Sequence, residues 1–65
     1  MKLIVNGQPV TTELSGLEQV LVELGHDDKY IATAVNEVFI PRQARADTVL
    51  KDGDRIEILA PRQGG

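Results

Sequence analysis

The chain has no cysteine and no tryptophan, and only one tyrosine, one phenylalanine and one histidine. Without cysteine there is no disulfide, no thiolate metal site, no nucleophilic thiol and no side chain able to carry a persulfide. A lone His26 cannot assemble a metal centre with matched ligands. No Ser/His/Asp or Cys/His set is available for nucleophilic catalysis, and no G-x-x-x-x-G-K-[ST] loop is present to cradle a nucleotide phosphate. Basic residues are in deficit. Seven Lys and Arg stand against ten Asp and Glu, giving a net charge of −3 and a pI near 4.9. The field of the whole molecule therefore repels nucleic acid. No apolar run is long enough to span a bilayer, and the N-terminus lacks the apolar stretch of a signal peptide. The expectation is a cytoplasmic protein without nucleic-acid or membrane partners.

What is present is a small aliphatic domain. At 65 residues, with 42% apolar and 26% charged, the chain lies near the lower size limit for folding without disulfides or metal. Its apolar residues are mostly Val, Ile, Leu and Ala, so the core must be aliphatic. A body this small hardly encloses a ligand pocket of the usual size and keeps a core as well. Any chemistry is expected at the surface or inside a partner.

Lys2-Leu3-Ile4-Val5-Asn6 reads as a strand, and Asn6-Gly7 is a strong hairpin signal because both residues tolerate the positive φ of a type I′ turn. Gln8 to Thr12 is the returning strand, and Pro9, lacking an N–H, marks it as an edge. Ser15-Gly16-Leu17-Glu18 fits a capping box. Leu17, Val20, Leu21 and Leu24 follow on one helical face, and Gly25 supplies the left-handed stop. His26 follows it, placed to act as a favourable charge at the helix end. After a charged loop at 26–29, Tyr30 to Asn36 reads as a third strand. Asn36-Glu37 turns into Val38-Phe39-Ile40, and Pro41-Arg42 ends that strand. Gln43 to Thr48 reads as irregular, with about one turn of helix carrying Val49 and Leu50 into the core. Asp52-Gly53-Asp54 is a turn, and Arg55 to Leu59 alternates Ile56 and Ile58 with Arg55 and Glu57, a strand with one face buried. The first and last strands are the most regular apolar elements, which suits central, parallel neighbours joined through a right-handed crossover. The predicted fold is α+β: a mixed five-stranded sheet with one helix on one face, the β-grasp arrangement. It occupies residues 1–60, and residues 61–65 form a tail.

That tail ends Gly64-Gly65. A frayed terminus has the same look. The functional reading rests on shape: two residues without Cβ can thread a channel too narrow for side chains, delivering only the α-carboxylate. A carboxylate is a poor electrophile. Joined to AMP it becomes an acyl-adenylate with a good leaving group, which a sulfur nucleophile converts to a thiocarboxylate and an amine to an amide. Nothing in this chain makes the adenylate, so activation must come from a partner.

Ala34-Val35-Asn36-Glu37-Val38-Phe39-Ile40-Pro41-Arg42, then Leu50-Lys51-Asp52-Gly53-Asp54-Arg55-Ile56-Glu57-Ile58, then Gly64-Gly65, resembles the sulfur carriers of bacterial thiamin biosynthesis, the ThiS family of ubiquitin-like β-grasp proteins. The similarity covers essentially the whole chain. The resemblance implies a carrier that catalyses nothing alone and binds no cofactor. An E1-like enzyme would use MgATP to adenylate Gly65. Sulfur from a cysteine desulfurase or another persulfide donor would convert the adenylate to a thiocarboxylate, and thiazole synthase would take the sulfur. Arg62, Gln63 and Gly64 would lie in the partner's channel. The small subunit of molybdopterin synthase is related and also ends in Gly-Gly, but is usually longer and lacks a Pro-Arg pair after the fourth strand. The alternatives are a sulfur carrier for molybdopterin or another sulfur pathway and a ubiquitin-like modifier conjugated through Gly65.

For docking, Phe39 and Leu59 are candidate exposed apolar contacts, since the strand at 38–40 has one side to spare. Arg42, Arg45, Arg55 and Arg62 are candidates for a patch facing an acidic partner. The competing reading is solvated arginines paired with nearby carboxylates, each pair individually weak.

Overall fold

The computed structural model describes residues 1–26 and 30–60. The elements are β1 (Lys2–Val5), β2 (Gln8–Thr11), α1 (Leu17–Glu23), β3 (Ala32–Val35), β4 (Val38–Ile40), a 3₁₀ helix (Arg42–Asp47) and β5 (Arg55–Leu59). They form one five-stranded sheet of order β2-β1-β5-β3-β4. β1 and β5 are parallel neighbours and every other pairing is antiparallel. This is the mixed sheet expected from the sequence, with the most apolar strands inside and the Pro9 strand at an edge.

Period-2 alternation sorts the sheet into two faces. Leu3 and Val5 of β1, Thr33 of β3, and Ile56 and Ile58 of β5 point to the covered face, where Leu17, Val20 and Leu21 of α1 meet them. Leu50 and Ile31 complete the core. The helix cannot be stable alone at this length; its leucine stripe is held by the sheet. Val22, on the other side of the stripe, is exposed. Helix α1 ends as Gly25 predicts. Gly25 adopts φ 82°, its N–H donates to the Val22 carbonyl (3.0 Å), and the His26 N–H donates to the Leu21 carbonyl (2.7 Å). This pair of bonds is the Schellman motif.

Three expectations are corrected. The capping box does not form: Gly16 is the N-cap and makes no side-chain cap bond. The orphan N–H of Leu17 donates instead to the Thr48 carbonyl (2.9 Å), and the Leu50 N–H donates to the Ser15 carbonyl (2.7 Å). The helix start is thus tied to a distant segment by an isolated bridge between Gly16 and Val49. Val49 is therefore not a core residue. In an extended bridge adjacent side chains point to opposite sides, so Leu50 turns inward at 2% exposure and Val49 outward at 73%. The segment at 43–48, read as irregular with about one turn of helix, is a regular 3₁₀ helix of six residues, Arg42–Asp47.

Candidate functional site

Both hairpins are made the same way. Asn6 and Gly7 (φ 51° and 81°) and Asn36 and Glu37 (φ 50° and 71°) put two consecutive residues in the left-handed region, as a type I′ turn requires. Glycine and asparagine accept that conformation readily; a glutamate does so against its steric preference. Each asparagine then reaches across to β5. On one side Asn6 Oδ1 accepts from the Ile58 N–H (2.8 Å) and Asn6 Nδ2 donates to the Ile58 carbonyl (3.2 Å). On the other, Asn36 Oδ1 accepts from the Arg55 N–H (3.0 Å) and Nδ2 donates to Asp54 Oδ1 (2.9 Å). The central strand is clamped at both ends by the amides of flanking turns.

Asp54 is buried at 7% exposure, and its second oxygen accepts from the Lys51 N–H (2.8 Å). The Asn36 amide, then the Lys51 N–H, hold its carboxyl below the ordinary aspartate value against the opposing effect of desolvation. The Asp-Gly-Asp turn is in this way welded to the β3–β4 hairpin. From sequence Asn36 reads as a turn residue only. Its second role depends on neighbours that no local pattern reveals.

The face of the sheet away from α1 carries the docking candidates. Register places Ala34 beside Phe39 on one side and Glu57 on the other, and pairs Ala32 with Leu59. Phe39 and Leu59 are 63% and 72% exposed, and with Ala32, Ala34, Asn6 and Glu57 they line an open groove of about 310 Å³. The two alanines form its floor because larger side chains would fill it. The structure therefore brings Phe39 and Leu59 together. Arg42 is exposed but does not line this groove. Arg55 is exposed and pairs with Glu37 (3.2 Å), the outcome of the competing reading.

Arg45 is a correction. It is no surface contact: it is buried at 6% exposure, and its guanidinium donates to the Ile31 carbonyl (2.6 Å). The 3₁₀ turn directs it inward, where the long side chain ties the segment after β4 to the start of β3. Arg62, Gln63, Gly64 and Gly65 lie outside the described residues, as does the whole tail at 61–65. The groove stands beside Leu59 and Ala60, from which that tail departs. No helix among the described residues is long and apolar enough to cross a membrane.

Comparison with known proteins follows the same lines. Residues 3–65 match the model of the ThiS family. A sulfur carrier protein ThiS of Thermus thermophilus is 38% identical over 94% of this chain and 95% of its own length. A thiazole synthase of Paramagnetospirillum magneticum is 36% identical over all of this chain, which spans only 20% of that protein. Among solved structures, the crystal structure of a thiamine biosynthesis protein (ThiS) from Geobacter metallireducens superposes with a TM-score of 0.82 at 32% identity, over 100% of both chains. A solution structure of a thiamine biosynthesis protein from the same organism gives 0.81 at 32% identity, over 100% of this chain and 88% of the other. With the family model matched from β1 to Gly65 and a relative aligned along nearly all of both lengths, the chain belongs to the ThiS family.

Proposed function

We propose that this chain is a sulfur carrier of thiamin biosynthesis, and that its reacting group is the Gly65 carboxylate. The observation that carries the proposal is the family match, which runs through the glycine pair to residue 65. The carboxylate attacks the α-phosphorus of MgATP in an E1-like partner, pyrophosphate leaves, and Gly65 becomes an acyl-adenylate. A persulfide sulfur, supplied by a cysteine desulfurase or another donor, then displaces AMP. Reduction of the remaining S–S bond by a thiol leaves a thiocarboxylate. Thiazole synthase accepts the sulfur and the carboxylate returns.

The chain contributes no catalytic group to these steps. It supplies recognition by the groove of Phe39 and Leu59 and delivery through Arg62, Gln63 and Gly64. The alignment with a fifth of a thiazole synthase supports that enzyme as acceptor, since it sets a domain of this kind in one polypeptide with the acceptor.

The test is the intact mass after incubation with MgATP, a matching adenylating enzyme and a persulfide donor. The expected result is one oxygen replaced by sulfur, localised to Gly65. An unchanged mass, with the partners active on another ThiS-family carrier, would overturn the proposal.

A further inference from the structure

β1 ends at Val5, whereas β5 continues to Leu59. The last β1-side backbone bond is the Asn6 N–H to the Ile56 carbonyl (2.9 Å), so on this side the groups of Ile58 have no strand to meet. The Asn6 side chain takes the strand's place. Its Oδ1 accepts from the Ile58 N–H at 2.8 Å and its Nδ2 donates to the Ile58 carbonyl at 3.2 Å. A side-chain amide thus forms the last rung of the β1–β5 ladder, one residue before Leu59 and the groove.

That amide belongs to an Asn-Gly pair, the dipeptide least hindered towards attack by the following backbone nitrogen. Gly7 has no Cβ, and one placed there would meet nothing within 4 Å. In the reaction the Gly7 nitrogen bonds to Asn6 Cγ, the Cγ–Nδ2 bond breaks, and Nδ2 leaves as ammonia with the proton of the Gly7 amide. Water then opens the five-membered imide at either carbonyl, yielding an ordinary aspartate in place of Asn6 or an isoaspartate whose main chain runs through the former side chain. One water is consumed, one ammonia is released, and nothing is oxidised or reduced.

We infer that Asn6-Gly7 is a deamidation site that the bonds to Ile58 hold shut, and that its reaction unlatches the C-terminal end of β5. Nδ2 is the leaving group, and in the folded chain it is tied to the Ile58 carbonyl; it departs only when that rung opens. The product cannot re-form the whole rung: an aspartate keeps an oxygen for the Ile58 N–H but has no donor for the Ile58 carbonyl. In the aspartate product an acceptor oxygen replaces the donor opposite the Ile58 carbonyl, and an ionised carboxylate joins Glu57 at the groove. An isoaspartate adds a main-chain carbon to a two-residue turn. Where the rung is lost, the end of β5 keeps only its β3 partners, Thr33 and Ala32. This inference does not depend on the carrier chemistry.

Two measurements test it on the full chain. Peptide mapping over time in mildly alkaline buffer, native against concentrated urea, follows replacement of NH₂ by OH at Asn6, with isoaspartyl methyltransferase labelling as a second readout. The native rate is expected to be lower by about tenfold or more, the protection set by opening of the rung. Equal rates, or reaction at Asn36 before Asn6, would overturn the inference. Amide hydrogen exchange in Asn6→Gly, which removes both side-chain bonds and keeps the positive φ at no steric cost, is expected to show Ile58 losing protection by about tenfold or more. Arg55, held by the other clamp, should keep its protection. Unchanged exchange at Ile58 in the folded Asn6→Gly variant would refute the latch.

Discussion

Replacing Asn36 by glycine isolates the second clamp. Glycine keeps the φ of 50° that the turn needs, so the change removes the side-chain amide without forcing the backbone. Two hydrogen bonds are lost. The one accepted from the Arg55 N–H is a neutral bond of about 0.5–1.5 kcal/mol, and the one donated to the Asp54 carboxylate is charge-assisted, about 1.5–3 kcal/mol. The expected loss is therefore about 2–4.5 kcal/mol, against a total of about 3–10 kcal/mol for a domain of this size. The loss should also depend on pH. Asp54 has a folded pKa below its unfolded one, chiefly because of Asn36. Its contribution is fully present above the ordinary carboxylate value of about 4 and disappears as pH falls through the lower folded value. The gap between the parent and Asn36→Gly should be widest near neutrality and narrow steadily on the acid side of about pH 4. Urea unfolding followed by far-UV circular dichroism across that range measures it. A gap under about 0.5 kcal/mol at neutral pH, or one of constant size into acid, would refute the clamp as described.

Leu21→Ala truncates a side chain with 2% exposure in the helix–sheet core and should cost about 2–5 kcal/mol in the same assay; a change near zero would remove α1 from the core. Phe39→Ser alters a residue with 63% exposure, so stability should move by less than about 0.5 kcal/mol. If the groove recognises the activating partner, kcat/KM for adenylation should fall by about tenfold or more; an unchanged value with an intact fold removes Phe39 from recognition. One residue added after Gly65 should abolish thiocarboxylate formation and leave the unfolding curve in place. Persistence of the reaction without trimming would show that the Gly65 carboxylate is not the acceptor.

The elements legible in the sequence are those fixed by short-range chemistry. The stripe Leu17, Val20, Leu21 and Leu24, the Asn6-Gly7 turn and the alternation of Ile56 and Ile58 each follow from one period or one dihedral requirement. The misread ones depend on distant partners. Ser15-Gly16-Leu17-Glu18 matches the capping box, yet the Thr48 carbonyl satisfies Leu17 first, and only the tertiary fold brings Thr48 there. Val49 and Leu50 are both apolar, and the bridge to Gly16 decides which one turns inward. Arg45 carries a charge and so reads as surface; its burial follows from the Ile31 carbonyl lying within reach. In the candidate site, the spare side of the strand at 38–40 is visible in the pattern. The meeting of Phe39 with Leu59 is not, because it depends on β5 lying next to β3.

One helix covers one face of the sheet and leaves the other to water, which explains why an apolar groove survives on so small a body. Ile56 and Ile58 serve the core, and Leu59, one step on, falls on the open face. Phe39 is in the same position on β4, and Ala32 and Ala34 leave the space between them empty. Filling the groove with larger side chains would gain little stability, since no second layer exists to bury them. The location of the groove also sets a distance. From Ala60, residues 61–65 extend to at most about 18 Å. A partner seated over Phe39 and Leu59 must therefore bring its adenylating centre within about 18 Å of the end of β5. A glycine inserted between Ala60 and Pro61 lengthens the reach by about 3.5 Å. It should be tolerated if the channel is entered by a slack tail, and should slow adenylation if recognition at the groove and delivery of the carboxylate are matched in length.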